Sequence, residues 1–445
     1  MFQAALRPYW DAAAETRAPA EQRRLRLEGT RRLLDWVTER SPFYRERFRK
    51  AGVDLRGIRT LEDFAAAVPL TAKQELRDAM ERMGTALPHL CVPREQIVLA
   101  GPSAGTSGRQ TYQAFTAEDL DVNTGITARL HWCCGLRPGD VFHLLITPFT
   151  PAAEIFKLAA QRMGVHWVIR DDHEPNHVPR YVDVAHSLQP TFLQAGVATL
   201  RAMVQHAAAT FGNKRMAYRK AILMGAALGA EARAEFREES GIDVYTLSGQ
   251  GSDFNLFGTQ CDRHDGEHWH ADDLTLVELI DPNTGMPAQE GELGELVITD
   301  FYRRATPHVR WRTEDMYRMH PGPCACGRTT RRYTLLDRLA NRVTVGRVSV
   351  YPFQVEESLS RSDAGRNLEF SLVRRPGAAR TLEVRLLRPS TLIAETAGEI
   401  ERSIAAHLSK ELGVPVQAGF HDRLRYVGYK TLRVVDEKDA PVSAY

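Results

Sequence analysis

From residue 20 to residue 40 apolar residues recur at helical spacing. Leu25, Leu27, Leu33, Leu34 and Val37 stand among Glu and Arg, a pattern that predicts an amphipathic helix. Ser41-Pro42 ends it, since proline cannot continue a helix, and Phe43-Tyr44-Arg45 opens a second. Thr60-Leu61-Glu62-Asp63-Phe64 carries the hydroxyl and, three residues on, the acid of a capping box, so another helix starts there. From about Ile97 the pattern changes. Short apolar runs at 141–146, 165–169, 191–195 and 221–224 alternate with helical segments. Mostly apolar runs of this length, separated by helices, predict a largely parallel sheet covered by helices. Between 274 and 299 the pattern is β: two apolar runs, 274–280 and 294–299, flank the turn Asp281-Pro282-Asn283-Thr284-Gly285. After Arg338 a smaller α+β pattern follows, with strands at 343–345, 348–350, 368–373 and 382–387 and helices at 352–361 and 393–412. The predicted fold class is α/β: a large N-terminal domain, 1–338, with mixed and parallel sheets covered by helices, then a small α+β domain, 339–445. The chain shows no internal repeat and no low-complexity segment.

Length and composition narrow the picture. A chain of 445 residues, 43% hydrophobic and 26% charged, is ample for two or three domains with substantial cores. A formal net charge of +2 offers no argument for nucleic acid or another polyanion as partner. Met1-Phe2-Gln3-Ala4-Ala5-Leu6-Arg7-Pro8 lacks the apolar core of a signal peptide, and no apolar run approaches the roughly 20 residues of a membrane span. Six cysteines in a chain of this size do not form a disulfide scaffold. The expected location is the cytoplasm.

Two clusters carry candidate chemistry. In Gly101-Pro102-Ser103-Ala104-Gly105-Thr106-Ser107-Gly108-Arg109 glycines flank hydroxyl residues. Glycine permits positive φ and close approach of the backbone, and successive N–H groups with Ser103, Thr106 and Ser107 as added donors make a nest for a phosphate. The loop lacks the Gly-Lys-Ser/Thr of a Walker motif; its alternative reading is a flexible surface turn. The second cluster is Cys324-Ala325-Cys326 with Cys261 and His268 upstream. Three thiolates and an imidazole are the donors of a tetrahedral structural zinc site. His264 and His270 are alternative nitrogen ligands, and the other reading is four unconnected residues near a hairpin. Cys91, Cys133 and Cys134 read as buried apolar residues.

Five segments then fall in a distinctive order: the hydroxyl–glycine loop at 103–108; Val244-Tyr245-Thr246-Leu247-Ser248; His308-Val309-Arg310-Trp311-Arg312-Thr313-Glu314-Asp315; Leu336-Asp337-Arg338; and Lys430-Thr431-Leu432-Arg433-Val434-Val435-Asp436. Together with Ser41-Pro42-Phe43-Tyr44-Arg45, Ile280-Asp281-Pro282-Asn283-Thr284-Gly285 and Cys324-Ala325-Cys326-Gly327-Arg328-Thr329, this series resembles the adenylate-forming enzymes, and within them the phenylacetate–CoA ligases, over nearly the whole chain. The resemblance implies a two-step ligase. A carboxylate attacks the α-phosphate of ATP to give an acyl-adenylate and pyrophosphate; a thiol, usually of coenzyme A, then displaces AMP, and the small domain rotates between the steps. It implies ATP and Mg2+ as cofactors, a small aromatic carboxylic acid as substrate, CoA or another acceptor, no membrane or nucleic-acid partner, and a homodimer.

Residue roles follow from the same resemblance. Ser103, Gly105, Thr106, Ser107 and Gly108 hold phosphate. Gly225 and Ala226 lie against adenine, Tyr245 stacks on it, and Ser248 contacts the α-phosphate. Asp315 accepts from both ribose hydroxyls, having two acceptor oxygens. Arg338 reaches ribose or phosphate, and Lys430 brings a mobile charge to the transition state. The chain also departs from the family. Gly249 stands where the family has the Glu that holds magnesium, with Asp253 as a substitute farther along; Thr246 replaces a glycine; Ala340 and Asn341 occupy the hinge; and Gly346-Arg347 inverts an Arg-Gly pair beside the pantetheine tunnel. Ala227 stands where relatives often carry Glu. Three functions are therefore open: an adenylating enzyme with an acceptor other than CoA, an ordinary aryl–CoA ligase, and a non-catalytic nucleotide-binding homologue.

Overall fold

The computed structural model describes residues 7–103, 110–148, 150–165, 167–172, 174–224, 228–250, 255–289, 291–366, 368–377, 379–389, 394–427 and 430–437. The chain divides into two compact units, 1–335 and 336–445. The N-terminal helices run Pro19–Arg40, Pro42–Ala51 and Leu61–Ala67. Ser41 closes the first and caps the second, its hydroxyl accepting from the Tyr44 N–H. Thr60 and Asp63 form the capping box read from the sequence. Each such cap satisfies N–H groups that the helix start leaves unpaired and contributes about 1 kcal/mol.

The strands of the first unit are β1 (Leu99–Pro102), β2 (Tyr112–Phe115), β3 (Val141–Leu145), β4 (Trp167–Asp171), β5 (Phe192–Gly196), β6 (Lys220–Met224), β7 (Asp243–Gln250), β8 (Asn255–Gln260), β9 (Glu267–Trp269), β10 (Thr275–Ile280), β11 (Leu293–Asp300), β12 (Trp311–His320) and β13 (Arg332–Arg338). All but the β1–β2 hairpin join one sheet in the order β10-β11-β12-β13-β9-β8-β7-β6-β5-β3-β4. From β4 to β7 neighbours are parallel; from β7 through β8 to β9 they are antiparallel. Successive side chains of a strand face opposite ways, so the parallel strands feed two cores. Phe142, Leu144, Phe192, Ile222 and Leu247 enter one, while Leu145, Leu193, Ala221, Leu223 and Val244 enter the other. A third core joins Leu33, Leu34, Val37, Tyr44 and Phe64 of the N-terminal helices to Trp269, Leu296, Ile298, Trp311 and Tyr317 of the antiparallel strands. Each such fully buried side chain is worth roughly 1.5–3 kcal/mol.

The second unit has its own core, in which Val343, Val355, Leu359, Leu372, Val384, Ile404 and Leu408 are buried together. Its strands are β14 (Val343–Val345), β15 (Val348–Val350), β16 (Phe370–Arg374), β17 (Leu382–Leu387), β18 (Val416–His421), β19 (Tyr426–Val427), β20 (Lys430–Thr431) and β21 (Val434–Asp436). Gly346 and Arg347 are the exposed tip of the β14–β15 hairpin, where Gly346 adopts φ +59°, the conformation a two-residue hairpin turn demands.

Several strands, among them β8, β9, β12, β13 and β18, are absent from the sequence reading, and β12 shows why. Its charged residues hide the alternation, and the register with β11 shifts between Glu295 and Val297 while Glu314 takes φ +61°. Among the described residues no helix is long and apolar enough to cross a membrane.

Candidate active site

One face of the antiparallel half of the sheet collects the polar residues of the motifs. On β7, Thr246 and Ser248 point to this face and Tyr245 and Leu247 to the other. Across β8, Gly258 pairs with Ser248. A Cβ there would stand 2.8 Å from Ser248 Oγ and 3.5 Å from Glu267 Cβ, so glycine is what leaves room for the serine hydroxyl. Next comes Glu267 of β9, whose Oε1 accepts a 2.5 Å hydrogen bond from Thr246 Oγ1. Asp315 and Tyr317 of β12 complete the face. The shifted register beside Glu314 turns Asp315 inward, as bulges beside functional sites do, and Asp315 is only 2% exposed.

The electrostatics follow from burial. Burial pushes Glu267 up to about 7, against the opposing pull of the Ser248 and Thr246 hydroxyls and the Leu335 backbone. Burial also raises the Tyr317 phenol well above its ordinary value, with Asp315 and Glu267 adding to the rise. Ser248 Oγ faces both Glu267 and Tyr317 without a hydrogen bond of normal geometry to either. Ser248 Oγ, the Tyr317 hydroxyl and Glu267 Oε2 are all buried without a hydrogen-bond partner among the described residues. Buried polar atoms in native proteins are almost always paired, so three orphaned oxygens on one face are the mark of a ligand site.

The flanking arginines of the same motif serve the scaffold. Arg310, at φ +44°, pairs with Glu278 (2.8 Å) and donates to the carbonyls of Ala65 (2.5 Å) and Val68 (2.7 Å) at the end of the Leu61–Ala67 helix. Arg312 pairs with buried Glu295. Of the charged residues in Arg310-Trp311-Arg312-Thr313-Glu314-Asp315, Asp315 is the one turned to the ligand face.

Other expected residues have different placements. Ser103 is buried, and its hydroxyl accepts from the Thr111 N–H (3.2 Å), closing the neck of the loop. Tyr245, expected to stack on adenine, has its ring buried, with Lys220 Nζ and the centre of the His264 ring each 4.8 Å from its centre. Its hydroxyl meets Lys220 (2.9 Å), Asp243 (3.0 Å) and Asp262 (2.9 Å). Arg338 is exposed at the end of β13. The backbone of Lys430 pairs with Val427 in the β19–β20 hairpin. Gly105, Thr106, Ser107, Gly108, Arg109, Gly225, Ala226, Ala227 and Asp253 lie outside the described residues. Thr246, Glu267 and Tyr317 went unread in the sequence as ligand-face residues, because only strand pairing brings them beside Ser248.

On the opposite face, β9 presents His268 to three cysteines. Ligand atoms of Cys261, His268, Cys324 and Cys326 all lie within 4.8 Å of one another. Cys261 Sγ stands 3.7 Å from Cys324 Sγ, and Cys326 Sγ 3.3 Å from His268 Nε2. Two thiolates on a tetrahedral zinc, with bonds of about 2.3 Å, sit about 3.8 Å apart, so the donor set fits zinc. The cysteines are free thiols. Thr330 Oγ1, 3.0 Å from His268 Nδ1, fixes the ring with Nε2 toward the thiols, the usual outer-shell arrangement. His264 and His270 stand outside this group. Both nitrogens of His270 are buried without a hydrogen-bond partner among the described residues, and its ring centre is 6.4 Å from that of His268. Cys133 lies beside the cluster as an apolar residue, its thiol pushed well up by burial.

No family model matches the chain. Among curated proteins it is similar to the phenylacetate–coenzyme A ligase of Thermus thermophilus, 31% identical over 369 residues, covering 78% of this chain and 76% of that one. It is also similar to the Escherichia coli protein of the same name, 28% identical over 363 residues, with 78% and 77% covered. Among solved structures, 2-hydroxyisobutyryl-CoA ligase in the postadenylation state, in complex with an acyl-AMP, matches with a TM-score of 0.83 at 20% identity over 98% of this chain and 94% of that one. An anthranilate CoA ligase in complex with anthranoyl-AMP matches with a TM-score of 0.55 at 16% identity over 77% and 67%. These last two establish the shared fold. With the motifs in order and the Thermus relative alike over three quarters of both chains, this protein is an adenylate-forming ligase and belongs to the phenylacetate–CoA ligase family.

Proposed function

We propose that the protein adenylates a small, aromatic carboxylic acid and passes the acyl group to the thiol of coenzyme A. An oxygen of the carboxylate attacks the α-phosphorus of ATP and the bond to pyrophosphate breaks. A thiolate then attacks the acyl carbon and AMP leaves, the thiol proton going to solvent. The carrying observation is the buried face on which the Ser248 and Tyr317 oxygens have no hydrogen-bond partner among the described residues, with the Asp315 carboxylate beside Tyr317. Ser248 is the donor to the α-phosphate, Asp315 the acceptor for the ribose hydroxyls, and Lys430 the charge that offsets what builds on the phosphate in the transition state. Ser103, Gly105, Thr106, Ser107 and Gly108 hold the outer phosphates, Gly225 and Ala226 border adenine, and Arg338 reaches the ribose or phosphate. CoA as acceptor is supported by the names of the relatives; Arg347, bulky and cationic at a hairpin tip, is the residue that would favour another acceptor. Magnesium supplies charge neutralisation of the phosphates when bound. Gly249, where the resemblance places its carboxylate, has no side chain to hold it. Zinc held by Cys261, His268, Cys324 and Cys326 is structural, since all four donors are protein and no position is left for chemistry.

The test is ATP–pyrophosphate exchange across a panel of aryl and short-chain acids, with and without CoA. Exchange with an aryl acid, and AMP release that rises when CoA is added, is the expected result. Lys430→Ala should cut exchange by about 10²–10³-fold, the range for loss of one preorganised charge or donor. Exchange with no acid, in protein that still binds ATP, overturns the reading in favour of a nucleotide-binding homologue.

A further inference from the structure

The ligand face gathers oxygen atoms around Glu267. Glu267, 4% exposed, touches the Thr246 hydroxyl, faces the Ser248 hydroxyl and the Leu335 backbone, and lies beside Tyr317, which in turn adjoins Asp315. Among the described residues no lysine, arginine or histidine pairs with it. Buried carboxylates are retained where they are paired or bind a metal. The neighbours of Glu267 are hydroxyl and carboxylate oxygens, the donors that hard divalent cations take, and the groups with which a nucleotide's own phosphates share such a cation. Among the described residues its Oε2, Ser248 Oγ and the Tyr317 hydroxyl are buried without a hydrogen-bond partner.

The backbone explains why the carboxylate comes from β9. At Gly249 the β7–β8 register shifts and φ is +129°, a conformation that residues with side chains rarely adopt. A glutamate directly after Ser248 would be strained here. Glu267 reaches the same face from the second strand over.

We propose, resting on the ATP reading above, that Glu267 is the carboxylate that holds the divalent cation accompanying ATP, in place of position 249. Its neighbour His268 points to the opposite face, so the site is separate from the cysteine cluster although both hang on β9.

The test uses the full chain with Mn2+ as probe and a non-hydrolysable ATP analogue. Electron paramagnetic resonance titration should show Glu267→Gln binding Mn2+ at least about tenfold more weakly in the presence of the analogue, with analogue affinity in EDTA and zinc content both unchanged. Equal Mn2+ affinity in the variant overturns the proposal. Because Glu267→Gln removes a buried charge and can fail to fold, the wild-type protein supplies a second measurement: a crystal soaked with Mn2+ and the analogue should place the manganese anomalous peak against the Glu267 carboxylate. A peak on Asp253 or Asp315 without Glu267 refutes it. If manganese sits on Glu267 but no acid supports pyrophosphate exchange, the adenylation reading fails and this assignment stands; exchange in the wild type with Mn2+ binding indifferent to Glu267 fails this assignment alone.

Discussion

Asp315 shows how a single carboxylate is aimed. It follows Glu314, which holds the left-handed region at φ +61°, and its N–H donates to the Thr313 hydroxyl (3.2 Å). These local contacts leave the side chain turned inward with Tyr317. Asp315→Asn should raise the KM for ATP about tenfold to a hundredfold, since hydrogen bonds to a charged group contribute roughly 1.5–3 kcal/mol. The same variant should lose most of the preference for ATP over 2′-deoxy-ATP in steady-state kinetics; an unchanged preference would remove Asp315 from the ribose. Asp315, Ser248, the cysteines of the candidate metal cluster and His268 were legible in the sequence because they stand in recognisable motifs. Glu267 and Tyr317 stand in none, and the three hydrogen-bond partners of the buried Tyr245 hydroxyl come from distant segments that no motif records.

Among the elements, two glycines in helices make opposite forecasts. Gly29, in the Pro19–Arg40 helix, has no room for a side chain: a Cβ would stand 2.3 Å from the Phe301 ring. Alanine gains about 1 kcal/mol in helix propensity but overpacks against an aromatic ring, which costs about 1–3 kcal/mol. Gly29→Ala should therefore lower the melting temperature. Gly398, in the Ala394–Leu412 helix, would meet only the flexible Arg402 guanidinium at 3.5 Å. There propensity acts alone, and Gly398→Ala should stabilise by about 0.5–1 kcal/mol, read by denaturant unfolding. At β9 the metal cluster offers a third test. Thr330→Val removes the hydrogen bond that orients His268 and should weaken zinc about tenfold in competition with a chelator, as outer-shell losses do. The full-length protein should contain one zinc, and stripping it should lower the melting temperature. Unchanged stability on stripping would leave the four residues without a structural role.

Across the whole molecule, two units with separate cores should unfold in two calorimetric transitions. Zinc removal should move the transition of the first unit alone, because every ligand belongs to it; movement of both would mean that the units melt as one. The order of helices, the parallel strands and the small α+β unit were determined by the sequence itself. Their apolar periodicity is local, and burial on two faces leaves no other solution for runs such as those of β3, β5 and β6. Charged β12 was not readable, since polar residues in it and just before it are satisfied by distant partners: Arg310 by Glu278 and the carbonyls of Ala65 and Val68, Arg312 by Glu295. The motifs named the family and the cysteines of the candidate metal cluster. Only the tertiary structure decided that Arg310 clamps while Asp315 turns to the face of Ser248 and Tyr317, that Tyr245 is buried in a core, and that Glu267 stands beside Ser248. Strand pairing puts residues far apart in the chain on one face, and no local pattern of side chains records it.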